Sequence, residues 1–288
     1  MMKIAIYGNK RQERYLGELG GFFSMLAQNG MESMVSREFA GYLESHGVSL
    51  PGAVVVDDCP DDAEAVISIG GDGTFLRAAQ WQGSREIPIL GINTGHLGFL
   101  ASYSLEEAPI LVHLLAERAW ETESRMVLKV EGDGVPDDFW PYVLNELSVV
   151  KGDTTHMVNV RTEVDGYFLA DYQADGLIVA TPTGSTAYNL SAGGPILQPT
   201  LKNMILSPIA PHSLTVRPLV IGADTRVDLR ITGRGEECHV GADGRIFAIP
   251  CNGSRLTVTR APFCVKVLRR PDTDFATVLR KKLLWARR

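Results

Sequence analysis

The chain is poor in cysteine, lacks a basic excess and contains no long apolar run, and each shortage removes a class of function. Its four cysteines, Cys59, Cys238, Cys251 and Cys264, form no CxxC pair, have no histidine at metal-ligand spacing and are too sparse in 288 residues for a disulfide-stapled secreted domain. They read as reduced core or surface thiols. Charge runs the wrong way for nucleic acid, since 28 Lys+Arg against 34 Asp+Glu leave a net charge of -6. No segment approaches the roughly 18 apolar residues of a membrane helix, and Met1 to Tyr7 is too short an apolar stretch before Lys10 and Arg11 for a signal peptide. A cytoplasmic protein without membrane or nucleic-acid partners is expected. Two nucleotide signatures are also missing, because neither GxGxxG nor GxxxxGK[ST] occurs.

What is present suffices for a packed protein. At about 150 residues per domain the length gives about two domains, and a chain of this size buries roughly 75% of its unfolded surface without needing a metal or disulfide. A content of 45% hydrophobic and 22% charged residues excludes disorder, collagen and coiled coil as the dominant state.

Strand-like and helix-like segments alternate at first. Lys3 to Tyr7 is strand-like, and Glu32 to Ser45 carries Met34, Val35, Phe39, Tyr42 and Leu43 at helical spacing. Val54 to Val56 is a short β-branched run, and Ala65 to Ile69 and Ile87 to Ile92 are continuously apolar, as buried parallel strands are. Ser104 followed by Glu107 is a capping-box pattern for a helix reaching about Ala119. From about Arg125 strand-like runs dominate, among them Tyr142 to Val149, Val158 to Val164, Tyr167 to Tyr172, Leu177 to Ala180, Leu214 to Val216, Val227 to Ile231 and Arg245 to Ile249. Asp165-Gly166 reads as a hairpin turn. Asp274 to Ala286 returns to helical spacing, and the C-terminal basic cluster of Arg280, Lys281, Lys282, Arg287 and Arg288 reads as a solvated helix end. The expected architecture is a doubly wound, Rossmann-like α/β domain over residues 1–122, an all-β sandwich over 123–270, and a C-terminal segment, 271–288, packing back on the first domain.

Gly70-Gly71-Asp72-Gly73-Thr74 follows one apolar run and precedes the helix-like Phe75 to Trp81. A strand, a glycine turn and a helix start place backbone amides and a positive dipole end where phosphates bind. Asp72 has the wrong sign for holding phosphate by attraction. Two roles are open to it: accepting a proton from a substrate hydroxyl that attacks a phosphoryl group, or capping its own helix. A second glycine cluster, Gly91 to Leu100, would form another wall of the same crevice, with His96 open to a structural or a catalytic role.

The densest stretch runs from Asp175 to Pro195. Thr181, Thr183, Ser185 and Thr186, then Tyr188, Asn189 and Ser191, offer hydroxyls and an amide for a base edge and ribose oxygens, with the Tyr188 ring as a flat apolar face. A hydroxyl-rich structural loop is the alternative. Within Tyr142 to Val149 strand alternation would put Asn145 and Glu146 on opposite faces, so one of them needs an interior partner.

Together the Gly70 to Thr74 loop, Asn145-Glu146 and the Asp175 to Pro195 motif resemble the bacterial NAD kinase family across nearly the whole chain. The glycine-aspartate loop alone is also similar to those of phosphofructokinases and of diacylglycerol and sphingosine kinases. The resemblance implies Mg²⁺-dependent phosphoryl transfer from ATP or another donor to the adenosine 2′-hydroxyl of NAD, with Asp72 as proton acceptor and Gly70, Gly71, Gly73 and Thr74 facing donor phosphates. It implies a dinucleotide pocket of Asn145, Glu146, Asp175, Thr183, Thr186, Ala187, Tyr188, Asn189, Leu190 and Ser191, joined by His156, Arg77, Ala210 and Arg245. It further implies a homo-oligomer, dimer or tetramer, whose pocket borrows residues from a neighbouring subunit. Gln173 stands where many relatives carry a basic residue, which bears on the donor and on the form of dinucleotide accepted. A non-catalytic NAD sensor and a lipid or sugar kinase of the same loop class are the alternatives.

Overall fold

Ala65–Ile69 and Ile89–Asn93 are buried at every position, not at alternate ones, as parallel strands covered on both faces are. The computed structural model describes residues 1–95, 98–152, 155–269 and 274–285. It divides into two compact units, Met1–Ser124 with Val265–Arg288, and Arg125–Cys264.

The first unit contains β1 (Met2–Gly8), α1 (Leu16–Gln28), β2 (Met31–Ser36), α2 (Arg37–Ser45), β3 (Val54–Val56), β4 (Ala65–Ile69), α3 (Asp72–Gln82), β5 (Ile89–Asn93), β6 (Tyr103–Ser104) and α4 (Ala108–Ala116). Its sheet runs β3-β2-β1-β4-β5 with every pairing parallel. The order reverses at β1, which has β2 on one side and β4 on the other. Open α/β sheets bind ligands outside the carboxyl ends of their strands at such a switch point, and here the loops after β1 and β4 meet there. The Asn9 amide donates to Ile69 O at 3.3 Å, and its side-chain Nδ2 donates to Thr74 Oγ1 at 2.9 Å. Phe22, Phe23, Phe39, Ile4, Ile6 and Ile67 fill the core.

Two segments differ from expectation. Residues 32–36 form part of β2 and not of a helix, because Met31 to Val35 pair in parallel register with β1. The Ser104–Glu107 capping box forms, but it opens a 3-10 turn at Leu105–Glu107, and α4 stops at Ala116.

The chain continues through β7 (Glu121–Gly132), β8 (Tyr142–Val143), β9 (Glu146–Lys151), β10 (Val158–Val164), β11 (Tyr167–Ala174), β12 (Gly176–Ala180), α5 (Tyr188–Ser191), β13 (Asn203–Ile209), β14 (Leu219–Gly222), β15 (Val227–Ala242) and β16 (Arg245–Arg269). Helix α6 (Phe275–Lys282) belongs to the first unit. In the second unit the antiparallel ladders β14-β13-β12-β9 and β11-β10 both end on β15. Val227 to Gly233 pairs with β10, and Cys238 to Ala242 pairs with β9. An irregularity between Thr232 and Glu237 lets one strand serve both ladders. Leu147, Val149, Val160, Leu177, Leu229 and Val240 make the sandwich core.

The hairpin turn at Asp165-Gly166 forms with φ of 51° and 79°, and Asp243-Gly244 repeats it at 49° and 79°. The segment Leu214 to Val216 is not a strand. Leu214 is 89% exposed, and the Arg217 guanidinium ties the carbonyls of Leu214 and Val216 into a turn at 2.7 and 2.8 Å. Helix α6 is shorter than Asp274 to Ala286, and Ala286, Arg287 and Arg288 lie outside the described residues. No helix among the described residues is long and apolar enough to cross a membrane.

The cysteines require a correction. Cys238 and Cys251 form a disulfide across the β15–β16 hairpin, with Cα atoms 5.7 Å apart, while Cys59 and Cys264 are not disulfide-bonded. Strand register brings the pair together, and no sequence spacing announces it. Thiol titration of protein unfolded without reductant should find two thiols, and four after reduction; four from the start would remove the bridge. Reduction should also lower stability by about 3 kcal/mol for a loop of this length.

Candidate functional site

Gly70 and Gly71 turn the chain from β4 into α3, whose N-cap is Gly71 without a side-chain cap. Asp72 therefore does not cap its own helix. Its carboxylate crosses to the neighbouring loop, where Oδ2 accepts the Phe99 amide at 2.8 Å and Oδ1 accepts those of Leu100 and Ala101, each at 3.1 Å. A Cβ on Gly98 would collide with this carboxylate, so glycine is required there. The loop after β5 thus joins the loop after β4, as its glycine cluster suggested, although His96 lies outside the described residues. A carboxylate offers about four lone-pair positions. Three are taken, and the one left is on Oδ2.

Gly70 donates its amide to Ile92 O at 2.9 Å, and Thr74 and Phe75 donate theirs to Gly71 O at 2.9 and 3.1 Å. The amides of Gly71, Asp72 and Gly73 remain at the positive end of α3 for an anion. Thr74 is buried with its hydroxyl on Asn9, so it braces the turn. Arg77 is exposed on α3, and its charge opposes the burial that raises the Tyr7 hydroxyl pKa.

In the second unit the expected strand Tyr142 to Val149 is broken, and simple alternation fails at Leu144 and Asn145. The cause is Asp243, at the tip of the β15–β16 hairpin. Its carboxylate accepts the amides of Leu144 at 2.6 Å, Asn145 at 2.8 Å and Glu146 at 3.3 Å. Thr181 ties the same bend to the next loop: its amide donates to Asn145 O at 2.8 Å and its hydroxyl to Leu144 O at 2.5 Å. Gly184 packs directly against the Asn145 carbonyl.

Much of the hydroxyl-rich run is engaged internally. Ser185 Oγ donates to Pro182 O at 2.6 Å, Thr186 Oγ1 donates to Thr183 O at 3.3 Å, and Asn189 Nδ2 donates to Ser185 O at 3.0 Å and Pro195 O at 3.1 Å. Asn189 Oδ1 accepts from Ser207 at 2.7 Å, so this buried amide braces the loop. Arg245, assigned to the pocket by resemblance, points its guanidinium at three carbonyls, Ala242 at 3.1 Å, Trp140 at 2.7 Å and Tyr142 at 2.8 Å. It stacks over Phe139 at 4.7 Å, and burial lowers its pKa against the pull of Asp243.

What stays open is a compact polar set. Glu146 Oε2 and Thr183 Oγ1 are buried without a hydrogen-bond partner, and such orphans in a native protein call for an explanation. Burial, then the nearby Asp243 charge, pushes the Glu146 carboxyl up to about 7, against the Tyr188 backbone amide. Tyr188 is 41% exposed at the start of α5 and Ser191 is exposed at its end, while Ala187 just before the helix and Leu190 within it lie half-buried.

Asp175, His156 and Ala210 lie elsewhere. Glu146 pairs with Ala180 at one end of β12, whereas Asp175 precedes the other end, about 17 Å away at a 3.3 Å rise per residue. There Asp175 bridges to Lys151 at 2.6 Å, His156 lines a groove of about 470 Å³ with Gln173 and Arg234, and Ala210 sits exposed with φ of 44°. Sequence reasoning missed Asp243 and Asn9. The Asp-Gly hairpin dipeptide was a signal for the first, but not for what its carboxylate would hold. Asp243→Ala should cost about 3 kcal/mol in urea unfolding and accelerate hydrogen exchange at the Leu144, Asn145 and Glu146 amides; unchanged exchange would show that the carboxylate does not hold them.

Known proteins match this arrangement along its whole length. The ATP-NAD kinase N-terminal domain model matches residues 5–119 and the ATP-NAD kinase C-terminal domain model residues 144–270. The NAD kinase of Bacteroides fragilis is 44% identical over 288 residues, 99% of this chain and 98% of that protein, and that of Porphyromonas gingivalis is 40% identical over 286 residues with the same coverage. Among solved structures, yeast NADH kinase complexed with NADH superposes with a TM-score of 0.87 at 21% identity, over 100% of this chain and 89% of that one, a likeness of fold. An NAD kinase from Archaeoglobus fulgidus in complex with ATP superposes with a TM-score of 0.72 at 26% identity, over 94% of each chain. A glycine-aspartate turn at the switch point of a parallel sheet, the orphaned Glu146 beside Tyr188 and these matches converge: the chain is a kinase and belongs to the NAD kinase family.

Proposed function

We propose that the phosphoryl group goes from ATP, or another phosphoanhydride donor, to the adenosine 2′-hydroxyl of NAD, giving NADP. The observation that carries this is the Asp72 carboxylate, immobilised by three amides beside an anion-attracting helix end with one Oδ2 lone pair unused. That lone pair takes the hydroxyl proton while the 2′-oxygen bonds to the terminal phosphorus and the bond to the donor's bridging oxygen breaks, so the electrons leave on the shortened donor. Phosphoryl transfer demands little covalent work from the protein, and positioning and charge stabilisation supply most of the rate.

Among the described residues no group of three or more His, Cys, Asp or Glu is arranged to hold a metal. A magnesium ion carried in by donor phosphates and water would have the Asp72 carboxylate as its nearby protein oxygen group. When bound, the ion neutralises charge on the transferring phosphoryl oxygens. Two structural relatives, yeast NADH kinase complexed with NADH and an Archaeoglobus fulgidus NAD kinase in complex with ATP, support nucleotides as both substrates.

We assign the dinucleotide to Asn145, Glu146, Thr183 and Tyr188, with ribose hydroxyls donating to Glu146 and a base against the Tyr188 ring. Asp175, His156 and Ala210, at the far end of β12, would then serve the pocket of a neighbouring copy, which supports a homo-oligomer.

NADP formation from NAD and Mg-ATP, repeated with polyphosphate, tests the reading. Asp72→Asn should retain NAD binding and lose at least about 10² in turnover, the lower end of general-base contributions; unchanged turnover in a folded variant would sink the assignment. Glu146 gives a pH signature. Its carboxyl is raised from 4.5 to about 7, so it is neutral below that value and ionised above. Hydroxyl donation favours the ionised form, so NAD should bind more tightly as pH rises through about 7, and Glu146→Gln should flatten the profile. Folding runs oppositely: the native state holds the extra proton between 4.5 and about 7, so this group's contribution to stability falls as pH rises across that window. Affinity that is level with pH in the native protein would contradict the Glu146 role.

A further inference from the structure

The C-terminal basic cluster is not uniform. Helix α6 starts at an N-cap where Asp274 accepts the Thr277 amide at 2.8 Å, and it is anchored by buried Leu279. Positions three and four apart share a helix face, so Phe275, Leu279 and Lys282 line one side, while Arg280 and Lys281 project elsewhere. The exposures agree: Arg280 and Lys281 are exposed and Lys282 is half-buried. All three complement the negative end of the helix dipole. That role does not account for the direction of Lys282, whose Nζ lies 5.7 Å from the centre of the Phe99 ring.

Phe99 is the residue whose amide donates to Asp72 Oδ2 at 2.8 Å. The last residue of α6 therefore delivers an ammonium group to the loop that holds the proposed base. We propose that Lys282 binds the terminal phosphate of the phosphoryl donor at the Asp72 loop, as a point-charge clamp contributed by the C-terminal segment.

Phosphates at the Gly71 to Gly73 amides bring several negative charges beside a carboxylate, and amides alone carry only partial charges. A cation beside Asp72 offsets both. Its role is electrostatic, and it transfers nothing. Burial lowers the Lys282 pKa while the Asp72 charge raises it, the pattern of an ammonium drawn partly out of water toward an anionic centre. The Phe99 ring face supplies a further attraction that keeps the flexible stem in place between turnovers. The chemistry required of the ligand is a terminal phosphate on a phosphoanhydride, common to a nucleoside triphosphate and to a polyphosphate chain.

This rests on the phosphotransferase reading of Asp72, and the test separates the two. Steady-state kinetics of the full chain and of Lys282→Met, Lys282→Arg and Lys281→Met are measured with ATP and with polyphosphate, alongside thermal melts. Calorimetric titration with a non-hydrolysable ATP analogue and with tripolyphosphate supplies a direct binding arm. Lys282→Met should reduce kcat/KM for the donor at least tenfold and weaken analogue or tripolyphosphate binding by a similar factor, with KM for NAD and the melting temperature little changed. Lys282→Arg should recover most of the loss, and Lys281→Met should behave as the parent. Loss with the ATP analogue alone would identify a nucleotide donor, and loss with both ligands a general phosphate clamp. Donor binding within twofold of the parent overturns the proposal, as does equal loss for donor and NAD with a lowered melting temperature and no rescue by arginine. A parent protein that makes no NADP with either donor removes the functional reading, while the binding arm still judges Lys282.

Discussion

A carboxylate that accepts three consecutive backbone N–H groups is the interaction on which both halves of the candidate machinery depend. Asp72 holds the amides of Phe99, Leu100 and Ala101, and Asp243 holds those of Leu144, Asn145 and Glu146. In each case a charge brought by one turn replaces the ladder bonds that a loop or broken strand cannot make for itself. Charge-assisted bonds of this kind are about twice as strong as neutral ones. Asp243 shows the tension involved: burial raises its pKa, and the three amides and Arg245 pull it back down.

The same anchor explains the state of Glu146. Asp243 fixes the Glu146 backbone, and its charge then joins burial in disfavouring a second carboxylate beside it. Arg245 eases the Asp243 charge but makes no bond to Glu146, because its guanidinium serves the carbonyls of Ala242, Trp140 and Tyr142. A carboxyl held near neutrality with one oxygen unpartnered is poorly stabilised by the fold alone. Hydroxyls of the proposed dinucleotide would supply the hydrogen bonds it lacks.

The loop from Thr181 to Ser191 divides its labour along the same line. Thr181, Ser185 and Asn189 are buried and bonded to nearby groups, which makes the loop rigid. Thr183, Tyr188 and Ser191 are left with free polar atoms or exposed surface. Rigid support beneath a few open groups keeps the entropic cost of binding low.

Local pattern made a good deal of this visible. Apolar runs marked β1, β4 and β5, the Ser104–Glu107 box and the Asp165-Gly166 turn formed where their residues stand, and the Gly70–Asp72 turn was recognisable because strand, glycine and helix start are neighbours in the chain. Other features depended on partners remote in sequence. Residues 32–36 became a strand because β1 was available to pair with them, Tyr142 to Val149 broke because a carboxylate about a hundred residues later pulled three amides away from it (|i−j| of 99, 98 and 97), and Cys238 met Cys251 through hairpin register. Composition and periodicity by themselves determined the two-part fold class and the turns at Gly70 to Thr74 and Asp165-Gly166, since these rest on short-range sterics and on which residues avoid water, while the motifs carried the family resemblance. Which way Asp72 points, which oxygen of Glu146 lacks a partner, and which lysine of the last helix faces the Asp72 loop were decided only by tertiary structure, because hydrogen-bond satisfaction is settled among groups that folding brings together.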